Sequence, residues 1–110
     1  MEINHDTVGG KLIVRPEGRI DSLTSTAFEA ALLPLLTGSG VVIIDCSKLT
    51  YVSSTGLRVF LTAAKTAKAK AIKMALCSLS RPVEEVFDVS GFSKIIEMHP
   101  TLDAALAATS

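Results

Sequence analysis

Apolar positions along this chain switch repeatedly between the spacing of a strand and the three-to-four spacing of a helix. Glu2 to Val8 alternates weakly and stops at Gly9-Gly10. Lys11 to Arg15, with its Leu12-Ile13-Val14 run, follows before Pro16. Two short strands around a Gly-Gly turn predict a hairpin. Beyond Gly18-Arg19-Ile20-Asp21, the residues Phe28, Ala31, Leu32, Leu35 and Leu36 recur at helical intervals. Thr24 or Thr26 is the expected N-cap, and Thr26 with Glu29 has capping-box spacing. Pro34 interrupts this stripe and predicts a bend or an early end, and Gly38 and Gly40 close the segment. Val41-Val42-Ile43-Ile44 is β-branched throughout and apolar on both faces, as a central strand covered on both sides would be; Asp45 ends it.

Cys46 to Val52 reads as a loop, and the pattern turns helical again from Ser54. Leu57, Phe60, Leu61, Ala64 and Lys68 share one face of that helix, with Arg58, Thr62 and Lys65 on another. Ala71 to Leu76 is the next strand. Ser80-Arg81-Pro82 then opens a third helix, with Ser80 as cap, an apolar face of Val83, Val86 and Phe87 that Val89 extends, and Gly91 as its C′ residue. Ile95 to Met98 is the last strand, and Thr101 caps a short terminal helix carrying Leu102, Ala105 and Leu106. The order β-β-α-β-α-β-α-β-α predicts an α/β fold: one mixed sheet of about five strands with about four helices, joined by right-handed crossovers. Without repeats or linkers, residues 1–110 read as one domain.

Composition narrows the function. At 48% hydrophobic over 110 residues there is material for a modest core. Eleven basic side chains balance eleven acidic ones, which argues against nucleic acid as a partner, as do a single Tyr and no Trp. Lys65, Lys68, Lys70 and Lys73 form a local basic run, read as a solvated helix face and the turn after it in preference to an anion site. No apolar run approaches the roughly 20 residues of a membrane span, so no direct membrane insertion is expected. The polar start (Glu2, Asn4, His5, Asp6) is unlike a signal peptide, and a cytoplasmic location is expected. Cys46 and Cys77 lie in or beside apolar segments without C-x-x-C spacing and are expected as buried, reduced thiols. His5 and His99 belong to no metal-ligand motif, so neither a metal nor a cofactor is expected.

The richest chemistry is Tyr51-Val52-Ser53-Ser54-Thr55-Gly56-Leu57, three adjacent hydroxyls where a helix begins. They follow the central strand at the sheet edge that is usually functional, and a helix N-terminus favours an anion. Ser and Thr are also ordinary caps. Gly56 is less expected, because it weakens the first turn, and suggests that something approaches the backbone closely there. A phosphate on Ser54 would meet a favourable field while adding roughly −2 of charge to the surface. Enzymatic readings are poor. There is no G-x-S-x-G elbow and no His inside the motif, and Gly38-Ser39-Gly40 precedes a strand, which excludes a P-loop. Asp21 and Asp45 follow strands and could approach the cluster, although such residues more often cap turns.

Three segments in order carry a resemblance over essentially the whole chain: Gly18-Arg19-Ile20-Asp21; Val42-Ile43-Ile44-Asp45 followed by Leu49 to Leu57; and Phe87-Asp88-Val89-Ser90-Gly91-Phe92-Ser93-Lys94-Ile95-Ile96. Together they resemble a STAS domain, the fold shared by sulphate-transporter cytoplasmic domains and bacterial anti-sigma factor antagonists. The resemblance implies partner switching. The unphosphorylated antagonist captures an anti-sigma factor with serine kinase activity, phosphorylation releases it, and a serine phosphatase resets it. Matched to the family's Asp-Ser-Ser/Thr-Gly motif, the phosphoacceptor is Ser54, with Ser53 and Thr55 as second choices; Ser53 stands where the family has aspartate. Asp21, Ser22, Ser53, Thr55, Gly56, Leu57 and Arg58 are implied to border the partner, and a monomer facing a kinase dimer is expected. The alternative is a STAS subunit of a lipid-trafficking ABC complex docking on its ATPase, and a third is nucleotide binding at the sheet's C-terminal edge.

Overall fold

The computed structural model describes residues 2–37 and 40–109. In chain order the elements are β1 (Glu2–Val8), β2 (Lys11–Ile20), α1 (Ser25–Leu32) with a 3-10 turn over Leu33–Leu35, β3 (Gly40–Asp45) and β4 (Leu49–Val52). Then come α2 (Ser54–Ala69), β5 (Ile72–Cys77), α3 (Arg81–Ser90), a 3-10 turn over Phe92–Lys94, β6 (Glu97–His99) and α4 (Leu102–Ala108). The strands lie in the order β1-β2-β3-β5-β6, with β4 beside the far half of β2. Among the described residues only the β1–β2 hairpin is antiparallel, so the sheet is mixed.

β3 is buried on both faces, as its β-branched run predicts. Val42 and Ile44 join the main core with Phe28, Phe60 and Phe87 of the first three helices. Ile43 points the other way, into a smaller cluster with Ile13, Cys77 and Ala105 of α4. Three helices therefore cover one face and α4 the other. Phe60 links its neighbours, with ring centroids 5.2 Å from Phe28 and 5.3 Å from Phe87. Both cysteines are buried and unpaired with each other.

Several sequence expectations change. The second strand does not stop before Pro16 but runs to Ile20. Pro16 is tolerated because β2 pairs with β3 only through residues 12–14 and with β4 only from Gly18, leaving Pro16 bare on that side. The pairing shifts between Gly18, at φ +98°, and Arg19, so one strand serves two partners. The expected loop from Cys46 to Val52 contains β4. Its buried Leu49 and Val52 are separated by two exposed residues, so the alternation that would reveal a strand is missing. The last strand is Glu97–His99, and Ile95 is 64% exposed outside it.

The helices differ in detail. Pro34 does end α1, inside the 3-10 turn. Thr24 is the N-cap position without a capping side chain, and Thr26 lies exposed within the helix, so the capping box does not form. Ser80 likewise precedes α3 without a side-chain cap, whereas Thr101 accepts from the Ala104 N–H and Gly91 is left-handed as expected. The buried stripe of α2 runs through Leu57, Val59, Phe60, Ala63 and Ala67; Lys68 is exposed, contrary to the predicted face. Val89 also leaves the predicted apolar face and is 90% exposed. Gly38, expected to close the first helical segment, and Ser39 lie outside the described residues.

Candidate functional site

The site forms because β2 and β4 end side by side. Ile20 pairs in parallel with Val52, and the Ser53 N–H donates to the Ile20 carbonyl at 2.8 Å. The loop after β2 and the start of α2 are thereby set next to each other. Arg19 and Tyr51 are paired one position earlier, the guanidinium 4.3 Å from the ring centroid. That contact fastens the strand ends from the solvent side.

Ser53 is the N-cap of α2. Its Oγ accepts from the Gly56 N–H at 3.2 Å and shares a 2.7 Å hydrogen bond with Thr55 Oγ1. Its carbonyl accepts the first helical bond, from the Leu57 N–H at 2.9 Å. Ser53 and Thr55 are both partly buried, while Ser54 between them is exposed. The Ser54 hydroxyl has no hydrogen-bond partner among the described residues. No acidic residue occupies the first turn of α2, so the positive helix end is left unneutralised there. Arg58 stands four residues on, exposed, on the face that Ser54 shares.

Gly56 answers the question its presence raised. A Cβ at that position would stand 2.7 Å from Ile20 Cγ2, 3.0 Å from Val52 Cγ1 and 3.1 Å from the Ile20 carbonyl oxygen. The close approach is by the chain's own β2 and β4. Gly56 is buried and Leu57 is only 7% exposed, so these two support the surface from beneath.

On the β2 side, Asp21 organises its loop. One carboxylate oxygen, Oδ1, accepts from the Leu23 N–H at 2.9 Å and the Thr24 N–H at 3.1 Å. Thr24 Oγ1 in turn accepts from the Asp21 N–H at 2.9 Å and donates to the Arg19 carbonyl at 2.7 Å. The Leu23 N–H above all, then the Thr24 backbone and hydroxyl and the nearby Arg19, hold the Asp21 carboxyl below its usual 3.8 against an opposing effect of desolvation. Ser22 projects exposed beside it. Asp45 serves another turn: it accepts from the Ser47 N–H at 3.0 Å and lies 3.7 Å from Arg15 Nε.

Two residues of this surface are not among the site residues expected from the sequence. Leu23, at the turn that Asp21 holds, is 89% exposed, and Val89 on α3 is 90% exposed. Val89, Val86 and Pro82 of α3 face Leu57 and Ser54 of α2 across an open groove of about 450 Å³, with Glu85 at its edge. Val89 stands two residues after the buried Phe87 and six after the buried Val83, spacings that turn it to the opposite side of α3. Only its three-residue spacing from Val86 makes it resemble an extension of the apolar face. Nothing in the periodicity distinguishes Leu23 from a core leucine.

Comparison with known proteins agrees with this architecture. The family model described as STAS domain matches residues 2–105, and the chain belongs to the STAS domain family. A Bordetella bronchiseptica protein named as an anti-sigma factor antagonist, BtrV, is 36% identical over 98% of this chain and 94% of its own length. The anti-sigma-B factor antagonist of Listeria monocytogenes is 34% identical over 74% of this chain and 72% of its own. Among solved structures, an anti-sigma-factor antagonist (STAS) domain protein from Planctomyces limnophilus superposes with a TM-score of 0.88 at 20% identity, covering 98% of this chain and 97% of that one. Among the described residues no helix is long and apolar enough to cross a membrane.

Proposed function

We propose that this chain is an anti-sigma factor antagonist that acts by partner switching, with Ser54 as its phosphoacceptor. The observation that carries the reading is the inequality of the three hydroxyls. Ser53 and Thr55 are tied to each other and to the helix cap, whereas Ser54 is exposed and unengaged at the first turn. A kinase needs a hydroxyl it can reach. Ser54 meets that need at no cost to the cap.

In its unphosphorylated form the chain binds an anti-sigma factor with serine kinase activity over the surface from Asp21, Ser22 and Leu23, past Ser53 to Arg58, to the α3 groove. Leu23 and Val89 supply apolar anchors on either side of Ser54, and Arg58 supplies a charge at the rim. A phosphate on Ser54 is held by the free N–H groups of α2 and by Arg58, so it does not unfold the site. It does place a hydrated dianion within an apolar contact, which favours release. A serine phosphatase resets the cycle. The chain works in the cytoplasm as a single domain over residues 1–110, with no cofactor and no catalysis of its own. The names of the relatives support this reading.

Binding to the cognate kinase tests it. Ser54→Asp should bind at least about tenfold more weakly than wild type. Ser54→Ala should bind as wild type and stay bound when ATP is added. Equal binding by all three proteins, with and without ATP, would contradict the switch.

A further inference from the structure

The basic run over α2, the turn after it and the start of β5 divides into two pairs. Lys70 Nζ donates to the Leu36 carbonyl at 2.9 Å, and Lys73 Nζ donates to the Ala108 carbonyl at 3.3 Å and lies 3.9 Å from Glu97. Those two tie helix and strand ends together. Lys65 and Lys68 are exposed, with no hydrogen bond or ion pair among the described residues. Both stand at the rim of a hollow of about 440 Å³ between α2 and the far half of the sheet. Its base is Ile72, Met74 and Ile96, all nearly inaccessible to solvent. Its helical wall is Ala64 and Ala67, and Ile95 forms an open lip. The cavity has a local cause: α2 offers alanines where leucines would fill the space against β5.

We propose that this hollow is a binding site for a small anionic amphiphile, its alkyl tail on the apolar base and its carboxylate or phosphate head between Lys65 and Lys68. The volume lies within the roughly 300–1,000 Å³ of small-molecule sites, and the lining has their composition, apolar with a few convergent charges. The two ammonium groups are complementary to one anionic head, and no acid among the described residues pairs with either. A protein partner fits less well. Of the exposed large apolar side chains among the described residues, only Ile95 borders the hollow, so the apolar surface does not extend over the area a protein interface needs. The site is independent of Ser54, which lies eleven residues and roughly 16 Å back along α2.

The test is amide-detected titration of isotope-labelled protein with octanoate, decanoate, decyl phosphate and decanol, all below their micellar concentrations. Saturable shifts should centre on Leu61 to Met74 and on Ile95 and Ile96. Affinity should rise roughly two- to fourfold per added methylene. The Lys65→Gln/Lys68→Gln double variant should lose roughly fivefold for decanoate and decyl phosphate and nothing for decanol. A preference between the two anions would identify a fatty-acid or a phosphorylated source. Ala64→Leu fills the hollow and should abolish binding of all four. If Ala64→Leu fails to unfold cooperatively, the lysine variant, altered only at exposed positions, decides the matter. Shifts scattered over the surface, decanoate binding unchanged in the lysine variant or in a folded Ala64→Leu protein, or displacement of decanoate by a glutamate-rich peptide without an alkyl tail would each overturn the proposal.

Discussion

Gly56 packs directly on Ile20: a side-chain carbon at position 56 would stand 2.7 Å from Ile20 Cγ2 and 3.1 Å from the Ile20 carbonyl oxygen. Ile20 is fully buried and β-branched, so it has little room to yield. Helix propensity and packing therefore predict opposite outcomes for Gly56→Ala. Propensity alone would stabilise by about 1 kcal/mol. The clash, about 1–3 kcal/mol, should dominate and leave a net loss of up to about 2 kcal/mol in chemical denaturation. A stabilised variant would show that the first turn of α2 is not held by this contact.

Ser53 can be tested as a cap separately from its neighbour. Ser53→Ala removes the acceptor for the Gly56 N–H and should cost about 1 kcal/mol. Ser53→Asp keeps an acceptor and adds a negative charge at the positive helix end, so the unphosphorylated protein should be at least as stable as wild type. Thermal unfolding of the three proteins measures both effects. Once Ser54 carries a phosphate, the order should reverse, because the new carboxylate faces a dianion one residue away.

Asp21 gives a pH dependence with a definite sign. Its carboxyl is held below the ordinary 3.8, first by the Leu23 N–H and then by Thr24 and Arg19. The ionised form is favoured in the folded state, so its contribution is complete above the unfolded value and is lost as pH falls through the lowered folded value. Carbon-detected titration of the Asp21 carboxyl should give a midpoint under 3.8, with the amides of Leu23 and Thr24 moving in the same step. Asp21→Asn should remove that step.

The two thiols should be inert at neutral pH. Burial above all, with Cys77 and Asp45 nearby, pushes Cys46 well above its ordinary value, and burial also raises Cys77. A disulfide-exchange reagent should therefore modify neither in the native protein and both after denaturation. Rapid modification of the native protein at pH 7 would contradict the burial of both.

The parts legible in the sequence were those with strong local signals. The β-branched run of β3, the left-handed Gly91, the Thr101 cap and the start of α2 at Ser54 all follow from residue type and spacing. β4 was not legible, because a four-residue strand with a buried–exposed–exposed–buried pattern becomes a strand only through pairing with β2. The site divides the same way. The hydroxyl run stands out at once, but only the fold separates Ser54 from the coupled Ser53 and Thr55. Gly56 was visible as an anomaly, yet its reason lies 36 residues away at Ile20. Leu23 could not be found by periodicity, since exposure of an apolar side chain depends on what tertiary packing leaves uncovered, whereas Val89, two residues after the buried Phe87, is marked as outward-facing by helical spacing.

The central claim is that one hydroxyl of three accepts phosphate. Incubation of the full chain with its cognate serine kinase and ATP, followed by intact mass and site mapping, tests it most directly. One phosphate, located on Ser54 and absent from Ser54→Ala, is the predicted result. Phosphate on Ser53 or Thr55 in the wild-type protein, or none on a chain that binds the kinase, would contradict the account.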